Sequence, residues 1–292
     1  MFKTVLALLL ANPILLAAVD LNREADLRRF VARVAENERK NRFREMGYFY
    51  RLQSQRIILD RRGREKKRTS STYEVIPLDD GVYRKLIRRN GEPLSEKEAR
   101  KQQRKADARL RRQRNLSPKG RAKRERKQAE RRRKEGLFWE EAVRAFHFHY
   151  RGEEVLNGRP VAVVDLLPRE NYRPPEKDLW ILDKLKGRIW IDREDLQLSQ
   201  VEMEFVKPVK LAGGLVARLY KGSTLWVRQE KLRDEVWFPR RFEVKMNGRI
   251  FLIKGLNMRM TGEFSDYRRF GTSVRMVPAD PPADGDSVER EE

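Results

Sequence analysis

Only two residue pairs in this chain of 292 residues have the types and spacing for metal or acid–base chemistry. His147 and His149, the sole histidines, stand i, i+2 in an alternating run, which puts both imidazoles on one face of a strand. That geometry suits a metal pair, but a metal needs further ligands, and the plainer alternative is a wet strand face opposite Phe146, Phe148 and Tyr150. Asp192 and Asp195 close the run Trp190-Ile191-Asp192-Arg193-Glu194-Asp195. Paired carboxylates can act as acid and base, yet these flank a hairpin turn, where Asp bonds nearby backbone. No GxSxG, HExxH, P-loop or GxGxxG pattern is present, and Gly213-Gly214 precedes a strand rather than a helix. No catalytic residue, metal or cofactor is therefore expected, and the chain reads as a non-enzyme.

The remaining chemistry is electrostatic. From Arg100 to Glu135 the chain carries 18 Lys/Arg against 4 Asp/Glu, a net +14 out of the +23 of the whole. Arg111, Arg112, Arg124, Lys127, Arg131 and Arg132 are the candidate contacts for a polyanion. Such a segment can meet an anionic membrane, lipopolysaccharide phosphate or nucleic acid, or it can be a solvated excursion that binds nothing specific. RNA readout usually adds stacking aromatics, and the segment has none, which makes nucleic acid the least favoured partner.

Periodicity supplies the elements that must hold these groups. Leu21, Leu27, Phe30, Val31 and Val34 fall on one face at helical spacing, which predicts a helix over Asp20 to Asn41. Alternation then predicts strands at Tyr48 to Asp60, Arg68 to Leu78 and Val82 to Arg89, with turns at Arg61-Arg62-Gly63, Asp79-Asp80-Gly81 and Asn90-Gly91. Ser95 and Glu98 form a capping box, so a helix starts there and runs into the basic segment until Ser117-Pro118-Lys119-Gly120 breaks it. With Leu110 and Leu116 as its sole large apolar residues, the insert is expected to protrude as charged helices or to be partly disordered. A short helix at Leu137 to Val143 leads into a β-meander with strands at 146–155, 160–167, 178–182, 188–192, 200–206, 216–220, 223–229, 235–246 and 249–260. Asn157-Gly158 and Asn247-Gly248 are its strongest hairpin turns. Val201, Met203 and Phe205 alternate with Glu202 and Glu204, as Phe242, Val244 and Met246 do with Glu243 and Lys245. One sheet face is apolar and the other wet.

The N-terminus changes the meaning of the charge. Lys3, the apolar run Thr4 to Ala18 and the small pair Ala17-Ala18 have the layout of a secretory signal peptide. The run contains Pro13 and is shorter than the ~20 apolar residues of a membrane span, although retention as an anchor stays open. The chain has no cysteine, so a disulfide framework, a Cys-based zinc site and lipid attachment at cysteine are all excluded. The expected product is an exported periplasmic protein, soluble after cleavage. The expected division is 1–18 signal, 19–93 first helix and strands, 94–136 basic insert, 137–275 the meander completing the same domain, and 276–292 an acidic disordered tail.

The stretch Leu185-Lys186-Gly187-Arg188-Ile189-Trp190-Ile191-Asp192, followed by Val201-Glu202-Met203-Glu204-Phe205, resembles a strand pair of outer-membrane lipoprotein-sorting-protein-like (LolA-like) periplasmic proteins. Val236-Trp237-Phe238-Pro239 resembles the Trp-hydrophobic-Pro strand that follows in that group. The resemblance covers Leu137 to Tyr267 and, more loosely, Asp20 to Asn90. It implies an α+β fold: a strongly curved antiparallel β-sheet, an unclosed barrel, with helices on the concave face and, here, a charged helical excursion. It also implies a non-enzymatic carrier or sensor of the envelope whose concavity takes a lipid acyl chain or a lipidated protein. The expected lining is Ile189, Ile191, Val201, Met203, Phe205, Leu225, Val227, Phe242 and Val244, and two readings of it stand: an open pocket, or a core filled by the helices. The alternative function is a basic nucleic-acid- or polyanion-binding protein acting through the 100–135 arm.

Overall fold

The apolar stripe at helical spacing builds the first helix, α1 (Glu24–Glu45), which buries Leu27, Phe30, Val31 and Val34 and has acids in its first turn and arginines in its last. The computed structural model describes residues 20–45, 47–78, 81–211, 216–232, 236–250 and 254–269. The N-terminal apolar run and the acidic tail lie outside them.

After α1 come β1 (Tyr48–Leu59), β2 (Glu65–Leu78), β3 (Gly81–Arg89) and the two-residue β4 (Glu92–Pro93). Helices α2 (Glu96–Arg114) and α3 (Pro118–Ala145) follow, then β5 (Phe146–Leu156), β6 (Arg159–Pro168), β7 (Leu185–Asp192) and β8 (Leu198–Phe205). The described chain ends with β9 (Val209–Leu211), β10 (Ala217–Leu219), β11 (Thr224–Leu232), β12 (Val236–Ile250) and β13 (Lys254–Arg269). All pairings are antiparallel, in the order β4-β3-β2-β1-β13-β12-β11-β8-β7-β6-β5, with β9 and β10 attached to the end of β12. β1 pairs with β13 from Tyr48↔Arg269 to Ile58↔Met258, so the strands before and after the insert form one sheet. β4 and β5 do not pair, and the barrel stays unclosed.

The core lies on one side of β5–β8. Ile189, Ile191, Val164 and Ala162 face α1 and the last turns of α3, where Leu137, Trp139, Ala142 and Val143 pack. That burial explains why the expected short helix at Leu137 to Val143 is instead the end of α3, one helix of 28 residues from its Ser117 cap. Its basic first half is solvated and its last turns are core.

Two expectations are corrected. The segment 178–182 is not a strand; it forms turns of 3-10 helix at Lys177–Leu179 and Leu182–Lys184. Leu179 ends the first of these turns, Leu182 begins the second, and both plug the core. Asn247-Gly248 is not a hairpin turn, because both residues continue β12 and pair with Asn257 and Leu256. Ser223 and Tyr220 claim the Asn247 backbone: Asn247 N–H donates to Ser223 Oγ at 3.1 Å, and Tyr220 N–H donates to the Asn247 carbonyl at 2.7 Å. Gly248 is needed for close approach, since a Cβ there would stand 2.2 Å from the Arg218 carbonyl. By contrast Asn157 and Gly158, at φ 52° and 76°, make the expected β5–β6 turn.

Gly187 serves a similar purpose in the Lys186-Gly187-Arg188 run. A Cβ at that position would lie 2.2 Å from the Glu202 carbonyl and 2.4 Å from Met203 Sδ. Gly187→Ala is expected to destabilise the fold by about 1–3 kcal/mol through overpacking. Gly255→Ala, with nothing within 4 Å of its Cβ, should leave the urea midpoint nearly unchanged. Equal midpoints for the two variants would contradict the close approach of β7 and β8.

Candidate functional site

The nine apolar residues singled out by alternation divide into a covered and an open set. Ile189 and Ile191 are 5% and 0% exposed and belong to the core beneath the helices; Val201 and Met203 pack on its margin. Phe242 lies over Gly262 and joins an aromatic row, Phe242–Phe264–Tyr50–Tyr267–Phe238–Tyr48, whose ring centroids are 4.2–5.8 Å apart. Phe205, Val227 and Val244 are half-buried, and Leu225 is 37% exposed.

Register joins the open set into a surface. Met203, Leu225, Val244 and Met260 stand opposite one another across β8, β11, β12 and β13. One step along, Met246 faces Met258, which faces Ile58 of β1. Along the strands from that row, α1 meets β11 and β12, where Glu38 hydrogen-bonds Gln229 and where Asn41 and Trp237 bond each other. Helices cover the β5–β8 part of this face; from β8 to β13 its apolar residues are half-buried, with Leu225 partly exposed. Met258, Met260 and Ile58 extend the surface beyond the expected nine. The alternation Leu256, Met258, Met260 in the sequence is the signal that marks them.

The carboxylate pair is committed to structure. Asp192 is fully buried; it accepts from Arg159 Nε at 2.5 Å and NH2 at 2.9 Å and from the N–H groups of Glu194 and Asp195. Burial works against its charge, but Arg159 and those N–H groups outweigh it and hold the carboxyl below its usual range. Asp195 takes Trp237 Nε1–H at 3.0 Å and Lys231 Nζ at 3.0 Å. This ties the β7–β8 turn to β11 and β12. His147 and His149 are exposed on the edge strand β5 opposite the buried Phe146 and Phe148. Among the described residues no three metal-ligating groups converge.

A groove of about 790 Å³ lies on the outer, charged face around Trp226. Its walls are ion pairs: Arg188 and Arg151 with Asp165, Lys186 with Glu204, Lys245 and Arg259 with Glu243. Sequence alternation assigns Trp226 to the wet face but gives no sign of this groove.

Of the basic candidates, Arg111, Arg112, Lys127 and Arg132 are exposed. Arg124 and Arg131 are half-buried; Arg124 NH1 reaches the Gln113 carbonyl at 3.5 Å and Arg131 pairs with Glu135. No helix of the described residues is long and apolar enough to cross a membrane.

Two acids of α1 are held from water. Glu38, buried, accepts the Leu198 N–H at 2.7 Å and ties α1 to β8; Glu45, half-buried, pairs with Arg42 of the same helix. Burial pushes each up to about 7. An acid whose folded pKa exceeds its ordinary 4.5 binds its proton more tightly when folded, so stability is full below pH 4.5 and falls as pH rises to about 7. At ~1.4 kcal/mol per unit, Glu38 accounts for a loss of about 3 kcal/mol. Glu38→Gln should flatten the fall in melting temperature across this window, with Glu45 supplying what remains; an unchanged slope would remove Glu38 from the effect. On the sheet itself, Ile191→Ala should cost about 2–5 kcal/mol in urea unfolding, whereas Leu225→Ala should cost less than ~1 kcal/mol.

No protein-family profile and no curated protein sequence matches this chain. Its fold is similar to an outer membrane lipoprotein-sorting protein domain from Vibrio parahaemolyticus, at 13% identity, covering 84% of this chain and 95% of that one, with a TM-score of 0.31. It is similar to a LolA superfamily protein from Nitrosomonas europaea, at 9% identity, over 85% and 94% of the two chains, with a TM-score of 0.33. A DUF1329 family protein from Desulfovibrio piger matches at 10% identity, over 86% and 95%, with a TM-score of 0.32.

Proposed function

We propose that this chain is an exported, non-enzymatic binding protein of the cell envelope, holding the acyl chain of a lipid or lipidated protein on the open half of its concave face. The observation that carries this reading is the row Met203, Leu225, Val244 and Met260, which leaves the helix-covered core and continues across three further strands, with Leu225 partly exposed. Apolar surface left in water costs roughly 25 cal/mol per Å², and an acyl chain regains about 0.8 kcal/mol per CH₂ buried. Methionines at Met203, Met246, Met258 and Met260 suit such a ligand, because unbranched thioethers adapt to a flexible chain. The N-terminal signal layout supplies the export. The commitment of Asp192 and Asp195 to Arg159, Lys231 and Trp237 leaves that pair to structure rather than acid–base work.

The test is fluorescent fatty-acid binding, with native mass spectrometry of gently extracted protein. The protein should bind the probe and retain lipid adducts. Leu225→Asp and Val244→Asp, each setting a carboxylate against the chain, should weaken probe binding at least tenfold while the circular dichroism spectrum stays native. Absence of both probe binding and adducts, or equal affinity in the variants, would overturn the reading.

A further inference from the structure

The basic arm has a sorted surface. Along α2 the less exposed stripe is Glu98, Gln102, Gln103, Ala106, Asp107, Leu110 and Gln113; along α3 it is Gly120, Arg124, Gln128, Arg131 and Glu135. Ala106 is completely buried, and Gln103 takes a 3.0 Å hydrogen bond from Lys85 of β3 and gives one to Asp107. This fixes α2 against the edge of the sheet. All four glutamine amides of the arm fall in the stripe. What faces solvent is cationic: Arg111, Arg112, Lys119, Lys123, Arg126 and Lys127 are exposed, with few acids among them. With 28 residues, α3 is about 42 Å long, so these cations are displayed on a long, rigid element.

We propose that the outward surface of α2 and the first half of α3 docks the protein on a bilayer of anionic phospholipid. The complementarity is one of charge density without pattern. Lipid headgroups diffuse laterally, so they can gather beneath cations at any spacing and require no directional donors. A nucleic-acid reader would instead present amides or aromatics beside its cations, and here the four glutamine amides lie in the less exposed stripe and the stretch from Arg100 to Glu135 has no aromatic residue. Each Lys or Arg near such a surface strengthens binding by up to about fivefold, and the attraction decays within a Debye length.

The experiment is co-sedimentation of the full chain with vesicles of phosphatidylcholine alone, or with about a third phosphatidylglycerol, at low and high salt; a short DNA duplex is titrated in parallel. Two sextuple variants are compared. In one, Arg111, Arg112, Lys119, Lys123, Arg126 and Lys127 become Gln. In the other, Arg61, Arg62, Lys66, Lys67, Lys221 and Arg268, all exposed and off the arm, become Gln, so net charge falls equally. Circular dichroism and melting establish that both fold. The parent and the off-arm variant should bind anionic vesicles at low salt, release them at high salt and ignore phosphatidylcholine. The arm variant should lose at least a hundredfold in partition. Equal loss in both variants would show that net charge rather than the arm is responsible, and would overturn the proposal. So would unchanged binding by the arm variant, or binding of the duplex without binding of anionic vesicles.

Discussion

A long sheet curled about one inner face has more apolar surface than two helices can cover, and the architecture follows from that shortage. α1 and the last turns of α3 lie over β5–β8, where Ile189, Ile191 and Val164 lose nearly all contact with solvent. Beyond β8 the same strand faces continue, because antiparallel register carries the apolar row from Met203 through Leu225 and Val244 to Met260. The aromatic row from Phe242 to Tyr48 fills the inner face at one end by packing rings against rings. Between that row and the helical core Val244 and Met260 are half-buried and Leu225 is partly exposed.

Holding α1 in place requires polar contacts, since its line of apolar residues reaches only part of the sheet. Asn41 exchanges two hydrogen bonds with the backbone of Trp237, Glu38 takes the Leu198 N–H, and Asn37 reaches the carbonyls of Asp195 and Leu196. Two strands distant in sequence, β8 and β12, and the β7–β8 turn are thereby referred to one helix. Asp192 and Asp195 serve the same end from the other side, coupling the β7–β8 turn to Arg159, Lys231 and Trp237. Residues that look chemically active in sequence are here the fixings of a scaffold. The scaffold has to be fixed, because an open concavity cannot rely on a complete core for its shape.

The basic helices are joined to this scaffold at both ends. α3 becomes a core helix at Leu137, and α2 is seated on β3 through Ala106 and the Lys85–Gln103 hydrogen bond. The insert is therefore an extension of the fold with an orientation of its own rather than a flexible tether. That orientation turns the glutamines and the two leucines toward the less exposed side and leaves most of the lysines and arginines outward.

Sequence alone determined the elements and the two-sidedness of the sheet. Period-two alternation in Val201–Phe205 and Phe242–Met246, the Ser95–Glu98 cap and the Asn157-Gly158 turn are local signals, fixed by side-chain direction and φ preference. The tertiary structure decided which apolar residues are core. Ile191 and Leu225 read alike in sequence, and they differ because α1 packs above one and not the other. It also decided that Asn247-Gly248 continues a strand, since Ser223, 24 residues away, binds the Asn247 backbone. The 3-10 turns at Leu179 and Leu182 took shape around a core already formed. Local chemistry sets what a segment can be; which faces are covered depends on partners distant in the chain, and no window of sequence contains both.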